Sequence, residues 1–184
     1  RQAQQLTTLI EDLLELTRLE HQHESGPLER ERIPVTSVLW AAVETCTVEA
    51  QEKDITLRVQ GSEDVEAELN VPLIQRALTN LVDNAIKYSP AHTTVLVTAG
   101  QEGGQVILSV RDQGPGIAPE HQARIFERFY RVDKSRSRKL GGTGLGLSIV
   151  RHAAEAHGGQ VTVESVPGQG ATFVLRIPKQ APGG

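Results

Sequence analysis

Residues 72–90 read PLIQRALTNLVDNAIKYSP, and this stretch decides how the rest of the chain is read. Pro72 sits where a first helical turn tolerates it, and Ser89-Pro90 stops the run, so the pattern predicts a helix over 72–88. Ile74, Ala77, Leu78, Leu81, Val82 and Ala85 supply its apolar face. Asn80, Asn84 and Lys87 stand at i, i+4 and i+7, one narrow polar stripe bordering that face, with Tyr88 beside it. An Asn carbonyl can ligate a hard cation such as Mg2+, and a Lys can meet a phosphate. Taken alone, such a stripe is more often a solvated helix face.

Two glycine-rich segments lie downstream. Asp112-Gln113-Gly114-Pro115-Gly116-Ile117 directly follows a predicted strand at 105–111. Its glycines permit close backbone approach, and an Asp at a strand end can accept a hydrogen bond from an exocyclic amine. Gly141-Gly142-Thr143-Gly144-Leu145-Gly146-Leu147 opens a predicted helix at 144–157, where free N–H groups and the helix dipole favour a phosphate. No predicted strand precedes those glycines, which argues against a dinucleotide fingerprint, and no Lys-Ser or Lys-Thr follows them, which excludes a Walker A loop. The basic run at 134–139 reads as a solvated loop or as a lid over a triphosphate.

Working outward, a leucine stripe (Leu6, Leu9, Leu13, Leu16, widened by Ile10, Leu14 and Leu19) predicts a helix over 1–23. It fits a helix packed on its own domain or half of a dimeric bundle. The absence of a start signal favours the second. Ser25-Gly26-Pro27 ends it, and residues 25–36 are expected to be a linker carrying the charged run 29–32. Thr36 or Ser37 is the expected cap of a helix over 37–52. Strands are expected at 55–59, 65–69, 94–99, 105–111, 160–166 and 171–177, with a hairpin at Gly103-Gly104, a helix start in 119–129, and a frayed tail at 179–184.

Composition narrows the classes. The 184 residues suffice for one α/β domain and an appended helix, and 38% hydrophobic with 23% charged residues excludes a disordered chain. Net charge is −4, which disfavours a general nucleic-acid binder. The single cysteine, Cys46, excludes an internal disulfide framework, and the six histidines form no ligand cluster at helical spacing. No stretch of 18 apolar residues occurs. The chain opens on Arg1 and contains no Met, so a fragment whose upstream part is missing is expected.

The order of the motifs says more than any one of them. Asn80-x3-Asn84-Ala85-x-Lys87-Tyr88, Asp112-x-Gly114-x-Gly116, Phe126-Glu127-Arg128-Phe129-Tyr130-Arg131, Gly142-Thr143-Gly144-Leu145-Gly146-Leu147 and Gly168-Gln169-Gly170-Ala171-Thr172-Phe173 resemble the N, G1, F, G2 and G3 boxes of sensor histidine kinases. The resemblance covers about 35–178 for the ATP-binding domain, taken as 37–178. Residues 1–24 resemble the end of the second dimerisation helix.

The resemblance implies a two-layer α/β sandwich of the Bergerat type, a mixed sheet packed on helices, that binds ATP and Mg2+. By position it implies Asn84 as Mg2+ ligand, Asn80 on the phosphate side, Lys87 and Arg131 on phosphates (Asn80, Lys87 and Arg131 forming the catalytic set), and Tyr88 near the nucleoside. Asp112 would read the adenine amino group, with Gly114, Gly116 and Ile117 around it. Phe126 and Phe129 would anchor the lid. Gly142, Thr143, Gly144 and Gly146 would form its hinge, with Leu145 and Leu147 packed beneath. Thr172 matches a hydroxyl position, and Ala171 replaces a residue often Ser or Thr. Implied partners are the dimerisation domain with its phosphoacceptor His and a response regulator, in a homodimeric, membrane-bound sensor whose membrane segments lie upstream and whose ATP-binding domain is cytoplasmic. No nucleic-acid partner is implied.

The family's phosphoacceptor box is absent: His21 and His23 precede no Glu-Leu-Arg-Thr-Pro type of sequence. Two rivals stand beside this reading. Same-fold ATPases of the gyrase and Hsp90 type place a catalytic Glu four residues before the metal Asn, where this chain has Asn80. A non-catalytic nucleotide sensor or dimer scaffold is the other.

Overall fold

The computed structural model describes residues 28–62, 64–132 and 142–180. The leucine-striped segment 6–23, the basic run 134–139 with Gly141, and residues 181–184 lie outside them. In chain order the elements are strand β1 (Glu31–Pro34), helices α1 (Val35–Thr45) and α2 (Thr47–Glu52), strands β2 (Thr56–Gly61) and β3 (Glu66–Leu69), helix α3 (Val71–Tyr88), strands β4 (Thr94–Glu102) and β5 (Gln105–Arg111), the short helix α4 (Pro119–Gln122), helix α5 (Gly146–Ala156), and strands β6 (Gln160–Ser165) and β7 (Ala171–Pro178).

Five strands form one mixed sheet in the order β2-β4-β5-β7-β6. The β2–β4 pair is parallel and the other three are antiparallel. Period-two alternation decides which face is covered. Val95, Val97 and Ala99 on β4 and Val106, Leu108 and Val110 on β5 are buried, while their alternates remain half-exposed. Helix α3 packs on this buried face against β4 and β5, between α1 and α5. The result is the expected two-layer α/β sandwich. Ile74, Ala77, Leu78, Leu81 and Val82 of α3 are fully enclosed, so cutting Leu78 or Leu81 back to Ala would cost ~2–5 kcal/mol.

Three local expectations are corrected. Residues 31–34, read as linker, form β1, which pairs antiparallel with β3 and carries an Arg32–Glu66 ion pair at 2.8 Å. Their charge pattern hid a strand whose partner lies more than thirty residues away. The helix expected over 37–52 starts at Val35 behind Pro34, without a side-chain cap, and the Ser37 hydroxyl instead donates to the Pro34 carbonyl at 2.6 Å. That helix also breaks at Cys46. Thr45 and Thr47 both donate to carbonyls four residues back, at 2.9 and 3.0 Å, a competition that bends helices.

Both ends of α3 are fixed from outside the helix. Asn70 Oδ1 accepts the Leu73 N–H at 3.1 Å, a cap strengthened by Pro72 in the first turn. Lys53 Nζ donates to the carbonyls of Ile86 and Lys87 at 2.6 and 2.7 Å. His157, just past α5, is 0% exposed and ties α5 to the start of α3. Its Nε2 accepts the Asn70 N–H at 3.0 Å, so the ring proton sits on Nδ1 and is donated to the Ala153 carbonyl at 2.7 Å.

Burial pushes the His157 pKa down from 6.5 to about 4; the Ala153 carbonyl opposes this and the Arg30 charge adds to it. In that window the unfolded chain binds a proton that the folded chain refuses. The stabilisation is therefore complete above pH 6.5 and is lost as pH falls towards 4. Urea titrations should show this contribution as a loss of about 3 kcal/mol between the two limits. His157→Gln should be weaker at pH 7 and lack this part of the slope. An identical pH profile in the variant would contradict the assignment.

Candidate functional site

The register that buries one face of α3 turns Arg76, Asn80, Asp83, Asn84 and Lys87 into a cavity of about 430 Å³. That volume lies within the ~300–1,000 Å³ usual for small-molecule sites. Asp112, Pro115, Gly116 and Ile117 form a second wall where β5 ends. A third comes from Tyr130, Arg131 and Val132 together with Gly142, Thr143, Gly144, Gly146 and Leu147. Tyr88 closes the C-terminal end of the stripe, and β7 adds Ala171 and Phe173.

Asp112 is only 7% exposed. Its Oδ1 accepts the N–H groups of Gly114 at 2.8 Å and Ala171 at 3.1 Å, which leaves Oδ2 outside both bonds. Burial raises its pKa above the ordinary carboxylate value, and the two N–H groups oppose that rise. Gly116 has φ +71°, and a Cβ there would collide with the Val166 carbonyl, so only glycine lets this wall close on the β6–β7 turn. Gly144, at φ +79°, lies against the Phe129 backbone, whose N–H donates to the Gly144 carbonyl at 2.9 Å.

The cationic groups differ in how they are held. Lys87 Nζ pairs with Asp83 Oδ2 at 2.6 Å along the helix, a partly exposed i,i+4 pair. Such pairs contribute only ~0.3–0.5 kcal/mol, so Lys87 exchanges this partner readily. Arg131 is different: its Nε and Nη2 are buried and have no hydrogen-bond partner among the described residues. Buried donors of this kind call for an acceptor, and a phosphate supplies one. Asn80 Nδ2 donates to the Gly146 carbonyl at 3.3 Å, joining the stripe to the start of α5, where no side chain caps the helix.

The remaining expected residues take other places. Gly114 lies behind Asp112, against the Tyr88 carbonyl. Phe126 is buried and meets Phe173 edge-on at 6.3 Å. Phe129 is 56% exposed and meets Gly144 through its backbone, at φ +61°. Leu145 is fully enclosed beside Ile149, beneath the site. Thr172 does not line the cavity, because strand alternation gives that side to Ala171 and Phe173. The sequence reading missed Arg76 and Asp83, although both follow from the stripe's own spacing, and Tyr130, which adjoins Arg131. Cys46 also lines the cavity, but burial and the charges of Asp83 and Glu49 push its pKa up to about 12, which leaves an inert thiol.

These donors and acceptors fit an adenine nucleotide: Asp112 Oδ2 for an amine at one wall, and Arg131 with the uncapped α5 start for phosphates at another. Among the described residues no group of three or more His, Cys, Asp or Glu could hold a metal. Mg2+ takes few protein ligands and completes its shell from phosphates and water. Asn84, which lines the cavity, is an amide whose oxygen could hold such an ion. No helix among the described residues is long and apolar enough to cross a membrane.

Residues 69–181 match the histidine kinase-, DNA gyrase B-, and HSP90-like ATPase family. The chain is 40% identical over 178 residues to the sensor-like histidine kinase SenX3 of Mycolicibacterium smegmatis, covering 97% of this chain and 46% of that protein. It is 32% identical over 179 residues to the sensor histidine kinase WalK of Bacillus subtilis, covering 96% and 29%. The chain thus spans less than half the length of these relatives. Among solved structures, the mycobacterial sensor histidine kinase MprB is 30% identical with a TM-score of 0.70, covering 83% of this chain and 99% of that one. Full-length ShkA in complex with AMPPNP is 33% identical with a TM-score of 0.83, covering 96% and 36%. A domain with this sheet, this amide-bearing helix and this carboxylate at the strand end belongs to the histidine kinase-, DNA gyrase B- and HSP90-like ATPase family, as the ATP-binding catalytic domain of a sensor histidine kinase.

Proposed function

We propose that this chain donates the γ-phosphoryl group of Mg-ATP to a histidine on a dimerisation helix outside this sequence, for relay to an aspartate of a response regulator. The observation that carries the reading is that Arg131, with two guanidinium nitrogens buried and without a partner among the described residues, lines the same cavity as a buried carboxylate with one oxygen outside its two backbone bonds.

Each group has a task that its chemistry supports. Asp112 Oδ2 accepts the adenine amino group, and Tyr88 and Ile117 flank the base. Arg131 and Lys87 neutralise charge on the phosphates, and the α5 N-terminus adds N–H donors. Asn84 holds Mg2+ through its amide oxygen. Mg2+, when bound, offsets the charge that develops in phosphoryl transfer, a reaction that asks chiefly for positioning and electrostatic stabilisation. Asn80 tethers the amide stripe to Gly146. An amide cannot take a proton from water, so this position supplies no general base for hydrolysis. The incoming imidazole must come from another helix, which makes domain reorientation the gate. In this reading the full protein is a homodimeric, membrane-attached bacterial sensor with this domain in the cytoplasm.

The chain alone should bind Mg-ATP yet give no labelled band with γ-labelled ATP, and a separately supplied dimerisation domain carrying the phosphoacceptor histidine should become labelled. Self-labelling of the chain would refute the division of labour; steady hydrolysis of ATP with no labelling of the added domain would favour the ATPase rival. Asp112→Asn should weaken ATP binding about 10- to 100-fold by calorimetry and narrow the preference over GTP, the scale expected for a charge-assisted hydrogen bond. Asn84→Ala should abolish the gain in ATP affinity that Mg2+ gives the parent. A magnesium dependence as large as the parent's would move the metal away from Asn84.

A further inference from the structure

Arg131 Nε and Nη2 have no acceptor among the described residues to aim them. A free arginine side chain carries ~2 kcal/mol of rotamer entropy, so its direction into the cavity depends on how firmly the backbone beside it is fixed. Tyr130 is that neighbour. Its ring lines the same cavity and packs against the core. Its hydroxyl meets His121 Nδ1 at 2.7 Å. Arg124 lies over the ring at 4.3 Å from the centroid and is itself engaged by Glu127. The backbone on both sides is pinned as well: the Tyr130 N–H donates to the Glu127 carbonyl at 3.3 Å, and Phe129 adopts φ +61° while donating to Gly144.

We propose that His121 and Tyr130 are positioning residues: their hydrogen bond holds the turn between α4 and Arg131 so that the guanidinium points at the terminal phosphate. This rests on the reading of Arg131 given above. Neither side chain needs to touch the nucleotide's phosphates. The consequence is selective, because a loosened Tyr130 should cost the contact that ATP makes and ADP does not.

The test measures the affinities of ATP and ADP for the whole chain, with Mg2+, by calorimetry. Arg131→Ala should cut the preference for ATP over ADP about tenfold or more. Tyr130→Phe, which keeps the ring, and His121→Ala, at a half-exposed site, should each cut it about three- to fivefold. The double variant should lose no more than either single one, as expected for two ends of one bond. A purely structural bond would lower the unfolding midpoint and leave the ratio intact. A parental ratio in both single variants, beside a collapsed one in Arg131→Ala, overturns the positioning role. A parental ratio in Arg131→Ala removes the terminal-phosphate reading and the positioning role with it.

Discussion

Helix α3 must satisfy two environments on adjacent faces, and the rest of the molecule is arranged around that constraint. One face is enclosed completely by the sheet and by α1 and α5. The next, about 100° away, carries the amides that border the cavity. Any slip of the helix would bury Asn84 in hydrocarbon or expose Leu81. The helix is therefore held at both ends by groups from other elements: Asn70 and His157 at the start, Lys53 at the finish. Because the apolar contacts fix rotation and the end contacts fix translation, the stripe is positioned before any ligand arrives. This is the economy of placing a site on a core helix.

Asp112 plays the corresponding part at the sheet. It sits where β5 ends, and its Oδ1 binds an N–H from its own turn and another from the first residue of β7. Those bonds lock two neighbouring strand ends together while burial raises the cost of the charge. Ala171 thus contributes through its backbone, which explains why a residue without a hydroxyl serves there. The two oxygens differ: Oδ1 is spent on these backbone N–H groups, and Oδ2 lies outside both bonds.

What could be read from the sequence follows the range of the interactions involved. The stripe on α3, the strand-end aspartate and the glycine turn are local patterns, and each fell where spacing predicted. Features set by distant partners did not. β1 became a strand because β3 needed a neighbour, and a string of charged residues gave no hint of it. The break at Cys46 depends on two threonine hydroxyls turning back on the helix, and the burial of His157 on the approach of Asn70. Thr172 was placed in the site by motif position, whereas strand parity gives that wall to Ala171 and Phe173. Arg76 and Asp83 were within reach of the same 3.6-residue period that located Asn80.

Buried polar groups in this fold separate by whether their bonds are complete. His157 has both ring nitrogens engaged, and its neutral form is the one that the surroundings accept. It is a brace, and it has nothing left to offer a ligand. Arg131 is buried at two nitrogens without an acceptor among the described residues, in a wall of the cavity beside α3. Incompleteness alone does not mark a site, since Ser89 Oγ and Arg30 Nη1 are also buried without partners among the described residues and neither residue borders the cavity. Incompleteness together with a shared cavity does: Arg131, with its unspent donors, and Asp112, with an oxygen outside its two backbone bonds, line one volume, and they have opposite requirements. A ligand that satisfies both needs an amine at one end and an anion at the other, with enough length between them to pass along the amides of α3. That is the description of a nucleotide, reached from the donors and acceptors that the folded chain leaves over.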